Sequence, residues 1–154
     1  MEIIGDNMKD TFKLIGEGYF ERRRKDGSVI DSWTSKNTVV TMGKVAVAKL
    51  LNNVSSNYFD SIAIGDDDTP PAIGQEALVS EVKRGIASLS YSATAKAVFE
   101  KTFDFVSGES YSIVEAGIFN SESAGGDMLD RLTFSAKAVD VDTDLFARIT
   151  ITVT

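Results

Sequence analysis

The end of the chain carries its most constraining pattern. Leu145, Ala147, Ile149, Ile151 and Val153 recur at every second position, and from Arg148 onward each residue between them is polar. A period of two belongs to a β-strand with one buried face and one wet face; a helix would scatter these side chains around its circumference. A strand of this kind cannot bury its apolar face alone, so the chain must fold around a sheet packed against a second layer.

Related patterns recur upstream. Phe12, Leu14, Tyr19 and Phe20 give β-forming bulk to Thr11–Lys25, although Gly16 and Gly18 interrupt it. Val29, Ile30 and Trp33 mark a return strand over Ser28–Ser35, and Asp26-Gly27 between the two suits a tight hairpin turn. Ser61–Gly65 reads as a short buried strand. Within Ile86–Val106, Leu89, Tyr91, Ala93, Ala95 and Ala97 alternate before Phe99, Phe103 and Phe105, which suits one or two half-buried strands. Tyr111–Asn120 and Met128–Ser135 add two more, with turns at Gly108, Ser121–Gly126 and Asp140–Asp144.

Helical spacing is strongest in Thr41–Asn53, where Val47, Leu50, Leu51 and Val54 form one apolar stripe. Thr41 is placed to cap the first turn and Asn52-Asn53 to end the last. Leu78, Val79 and Val82 fall on one side of a shorter helix predicted over Gln75–Val82, after a loop at Asp66–Pro71. The expected fold is mainly β: a β-sandwich-like domain over residues 37–154 with one covering α-helix, preceded by an N-terminal β-hairpin arm over residues 1–36.

Composition narrows the function. Lys and Arg number 16 against 23 Asp and Glu, a net charge of −7. Phosphate backbones demand clustered cations, so nucleic acid is not an expected partner. The chain has no cysteine and no histidine. That removes disulfides, thiolate nucleophiles, the usual zinc ligands and imidazole acid–base catalysis. No apolar run approaches the ~20 residues of a membrane-spanning helix, so no membrane partner is expected. Met1–Asp10 lacks the basic start and apolar core of a signal peptide. The chain is expected to be made in the cytosol and to leave it only as part of a particle.

Few residues suggest chemistry. Asp66, Asp67 and Asp68 are the first metal candidates, since hard cations take several oxygen ligands. Consecutive side chains diverge and the spacing is not that of an EF-hand, so a solvated turn is the expectation. Asp140, Asp142 and Asp144 read the same way. Arg22-Arg23-Arg24-Lys25 is the basic run; at a hairpin end it guards a strand edge or meets an acidic partner surface. Gly16 and Gly18 lack the Gly-Lys-Ser/Thr of a phosphate loop. Ser90, Ser110 and Ser112 have no histidine partner. Glu76, Glu81, Glu100 and Glu115 supply carboxylates without a spacing that defines a hydrolytic pair. Trp33 is expected in a core or interface. The reading is a non-enzymatic chain without catalytic, metal or cofactor-binding residues, and without a cofactor.

One order of short motifs stands out. Asn37-Thr38-Val39-Val40-Thr41-Met42-Gly43 leads into Ala46–Leu51; Phe59–Gly65 and Asp68-Thr69-Pro70-Pro71 follow, then Gln75–Arg84. Late in the chain come Ile113–Asn120, Gly125–Arg131 and the terminal Ile149–Val153. In this order and content, Thr38–Thr154 resembles a family of small structural proteins of tailed bacteriophages, found among tail, collar and fibre genes. The hairpin before it resembles the start of many such proteins.

The resemblance implies a virion component and defines no catalytic residue. The expected partners are copies of the same chain, in a ring or trimer, and neighbouring phage proteins in the tail, collar, neck or fibre attachment. Phe12, Leu14, Tyr19, Phe20 and Trp33 of the arm are expected to dock on a neighbour, oriented by Arg22–Lys25. Two alternatives are a capsid decoration or head-fibre protein, and a carbohydrate-binding receptor module using Trp33, Tyr58, Tyr91 or Tyr111.

Overall fold

A computed structural model describes residues 11–154; the signal-peptide reading of Met1–Asp10 lies outside them. The described residues form β1 (Leu14–Arg24), β2 (Val29–Val39), α1 (Thr41–Leu51), β3 (Ser61–Gly65), β4 (Glu81–Ile86), β5 (Ser88–Ser92), β6 (Lys96–Phe103), β7 (Tyr111–Phe119), β8 (Met128–Val139) and β9 (Thr143–Val153). The nine strands lie in the order β4-β3-β7-β8-β2-β1-β9-β6-β5, with every pairing antiparallel. The described residues are mainly β with one helix, as the patterning predicts.

Strand β2 is where the sheet folds over. Its first part pairs with β1, from Arg23↔Val29 to Glu17↔Lys36. Its last three residues pair instead with β8, as Asn37↔Leu132, Thr38↔Arg131 and Val39↔Asp130. This makes two leaves: β1, β9, β6 and β5 on one side, β8, β7, β3 and β4 on the other. Phe20, Phe99, Ile149 and Ile151 from the first leaf meet Ile62, Ile64, Ile118 and Leu132 from the second in one buried core. The outer face of the second leaf carries a smaller core of Val40, Ala63, Leu78, Phe119 and Met128.

The hairpin forms where Asp26-Gly27 predicts it, with Gly27 at φ +87°, but it is no arm. β1 lies between β2 and β9 and pairs with β9 over its whole length, from Leu14↔Val153 to Arg24↔Thr143. Phe20 is fully buried, stacked 5.5 Å from Trp33 and tilted against Phe134 at 4.8 Å. The boundary at residue 36 falls inside β2. The terminal strand has alternating apolar residues that need a neighbour on each side, and β1 supplies one of them.

Helix α1 uses its expected stripe only in part. Ala46 is buried and Val47 and Leu50 pack on the main core, while Leu51 and Val54 are 77% and 71% exposed. Gly43 sets the rotation. A Cβ there would come within 2.5 Å of the Leu129 carbonyl oxygen on β8, so the Gly43–Ala46 face is the one that touches the sheet. Val40 rather than Thr41 occupies the N-cap, without a side-chain bond; the Thr41 N–H donates to the Ile73 carbonyl at 2.8 Å.

Residues Gln75–Val82 form no helix. The Val79 and Ser80 N–H groups donate to the Glu115 carboxylate at 3.1 and 2.8 Å, which holds the backbone in bends rather than a helix until β4 begins at Glu81.

Two substitutions test this architecture by urea unfolding. Phe20→Ala should lower stability by about 3–5 kcal/mol, the cost of emptying a core site; an appended arm would give almost no change. Gly43→Ala should cost about 1–3 kcal/mol by pushing α1 off Leu129, although alanine is the better helix former.

Candidate functional site

The residues that draw attention by burial and charge lie between the elements just described. Glu115 and Arg131 are both fully buried, paired at 2.8 Å. Arg131 also donates to the Thr69 and Asp67 carbonyls, and Glu115 takes the Val79 and Ser80 N–H groups. The pair thus fastens the 66–80 loop over the second leaf. A Cβ on Gly65 would collide with the Glu115 carboxylate. Each charge is met by several hydrogen bonds, the condition under which a buried pair is tolerated.

The second group joins the leaves. The Gly16 N–H donates to Asn37 Oδ1 at 2.9 Å, Asn37 Nδ2 donates to Asp130 Oδ2 at 2.6 Å, and Asp130 Oδ1 accepts the Ile118 N–H at 2.9 Å. The β7–β8 register slips between Ile118 and Phe119, beside the point where Asp130 takes that N–H. A Cβ on Gly16 would collide with the Asn37 side chain. Burial pushes the Asp130 carboxyl up to about 6, against the two N–H donors that favour its charge. These residues bond within the fold, and Gly16 and Asn37 also line a surface trough.

The sequence candidates scatter. Arg22 pairs with Asp31, Arg23 with Glu21 and Lys25 with Asp144, so most of the basic run is neutralised inside the chain. Asp31 is held below the ordinary carboxyl range by Arg22, and Glu21 by the Tyr19 hydroxyl and Arg23. Asp67 accepts the Thr69 N–H, and Asp140 accepts from Asp142 N–H and the Thr143 hydroxyl. Among the described residues no group of three or more His, Cys, Asp or Glu is arranged to hold a metal ion. Glu81 pairs with Arg84 and Glu100 with Arg148, separate from the buried Glu115. Trp33 is half-buried, packed against Phe20 and Phe134 with Lys137 4.6 Å from its ring centre. Tyr111 leans on Phe105; Tyr58 and Tyr91 are exposed.

What the surface offers is contact area. A groove of about 370 Å³ lies between the start of β1 and α1, lined by Phe12, Leu14, Ile15, Val47 and Leu51 with Lys13 and Lys44 at hand. Ile86, Leu89 and Tyr91 are exposed along the end of β4 and on β5. A wider polar trough of about 670 Å³ crosses the outer face of the first leaf at Glu17, Tyr19, Lys36, Arg148, Thr150 and Thr152. Among the described residues no helix is long and apolar enough to cross a membrane.

Compared with known proteins, the chain matches no family model, no curated protein and no solved structure. The buried polar residues were the part that sequence reasoning missed. Their signal was present: Glu115 stands within the otherwise apolar Ile113–Phe119, and Asp130-Arg131 between Leu129 and Leu132.

Removing one partner of the inner pair should be severe. Arg131→Met leaves Glu115 buried and uncompensated, and denaturant unfolding should show a loss of about 3–5 kcal/mol. Asp130 should leave a pH signature. Its native carboxyl binds a proton more tightly than the ordinary value of 3.8 allows in the unfolded chain. Its contribution is therefore full below pH 3.8 and is lost as pH rises through about 6, amounting to about 3 kcal/mol. Asp31 and Glu21 have the opposite sign and lose their contributions as pH falls through the acid range. Melting temperature should peak on the acid side of neutrality, at about pH 5. In Asp130→Asn the decline between that optimum and pH 7 should flatten.

Proposed function

We propose that this chain is a structural subunit of a tailed-bacteriophage particle, assembling with copies of itself in a ring or trimer and with neighbouring tail, collar, neck or fibre proteins. The observation that carries this reading is the division of labour among its residues. Charged and amide side chains within the resembling motifs (Asn37, Glu115, Asp130 and Arg131) are spent inside, on holding strands together. The groove between β1 and α1 and the strand β5 present apolar side chains outward from a stiff antiparallel body.

Such a body acts by shape. Its sheet keeps docking surfaces in fixed relation, and the net charge of −7 favours solubility until the correct neighbour is met. Of the expected docking residues, Phe12 and Leu14 line the exposed groove, whereas Phe20 and Trp33 serve the core.

Mass spectrometry of purified particles of the encoding phage tests the reading. The chain should be present at a fixed copy number per particle. Its absence from particles, with the protein plentiful in the infected cell, would discard the proposal.

A further inference from the structure

The two ends of the strand order are built differently. On β4, Lys83 reaches the Asp104 carbonyl and Glu109. Arg84 donates to the Ser121, Ser123 and Gly125 carbonyls and lies 3.7 Å over the Phe119 ring. Charged side chains with loops drawn across them are how an edge strand is protected from further pairing.

β5 has no such protection. It reads Ser88-Leu89-Ser90-Tyr91-Ser92, every residue exposed, paired with β6 on one side. Among the described residues no strand lies on its other side. It contains no proline, and its register with β6 is free of bulges. Leu89 stands opposite Phe99 and Tyr91 opposite Ala97, so both lie on the core side of the leaf. Yet they are 47% and 76% exposed: the core face runs past the last strand, and among the described residues nothing covers it.

We infer that β5 is the contact by which two copies of this chain join, strand to strand and antiparallel, about a two-fold axis at Ser90. The strand is self-complementary under that operation. Ser90 meets Ser90 of the partner subunit, Leu89 meets Tyr91 of the partner subunit on the core side, and the small Ser88 meets Ser92 of the partner subunit. An aliphatic–aromatic cross-strand pair is a favourable one, and a two-fold makes it twice. Charge selects the same place. Copies with a net charge of −7 repel over most of their surface, whereas Gly85–Ala95 contains no charged residue. The inference rests on the assembly reading above and adds a two-fold contact to whatever rotational contact closes a ring or trimer.

Two measurements on the full chain decide it. By light scattering, the wild type should have twice the 16.6 kDa chain mass, or a multiple of that. The L89K/Y91K variant, altered only at exposed positions, should show half the wild-type mass with an unchanged circular dichroism spectrum. Because the chain has no cysteine, Ser90→Cys gives a clean second readout. Antiparallel neighbours sit about 4.5–5.5 Å apart at Cα, within disulfide reach. Ser90→Cys should cross-link to a dimer under mild oxidation much faster than Ser123→Cys in an exposed loop. A wild type of 16.6 kDa at every concentration, a mass that L89K/Y91K leaves intact, or equal cross-linking at the two cysteines would overturn the contact. In the second of these outcomes self-assembly stands and β5 is excluded; absence from particles would overturn the virion reading while leaving the solution masses as they are.

Discussion

Asn37 holds the molecule's two halves in register. It sits at the point where β2 leaves β1 and begins to pair with β8. Its amide accepts from the β1 backbone at Gly16 and donates to Asp130 on β8, which in turn accepts from β7 at Ile118. Four strands from two leaves are thereby tied through two side chains. A sheet that folds over must break its ladder somewhere, and buried backbone groups freed by the break need partners. Asn37 and Asp130 provide them, with the consequence that a carboxylate is kept in a dry place.

The Glu115–Arg131 pair does the corresponding work on the outer face. Leu78 anchors the 66–80 loop beside Phe119, and the pair adds the bonds that hold its polar Asp66–Thr69 part, ahead of Pro70 and Pro71. Buried ions contribute little net stability against apolar replacements, but a packing that separates the two partners leaves an uncompensated buried charge and is strongly penalised. In an antiparallel β protein that matters, because a one-residue slip turns a strand's apolar face outward. The motifs that stand out in the sequence are therefore read most directly as architecture: Gly43, Asn37, Glu115, Asp130 and Arg131 each fix where two elements meet.

With Glu115, Asp130 and Arg131 committed to the interior, the outer faces carry the remaining features of note. The first leaf has a polar outer trough ending in Thr150 and Thr152, the helix side has an apolar groove, and the charge-free β5 lies at one end of the sheet. On the assembly reading proposed above, these spatially separate faces are the contact surfaces.

Local pattern gave the strands, because a period of two is written into neighbouring residues and needs no knowledge of the rest of the chain. Val29–Val39, Ser61–Gly65, Tyr111–Phe119 and Thr143–Val153 lie close to where alternation and turn residues place them. Which strands are neighbours was decided only on folding: β1 sits beside β9, at the other end of the chain. The helix stripe reads well in sequence, yet its outer half faces solvent, because the contact at Gly43 chooses the rotation. The 75–80 segment has helical spacing, but its backbone N–H at Ser80 goes to a carboxylate 35 residues away and it forms bends instead. Hydrophobic period is a property of adjacent residues, whereas the partners of a buried charge are set by the path of the whole chain.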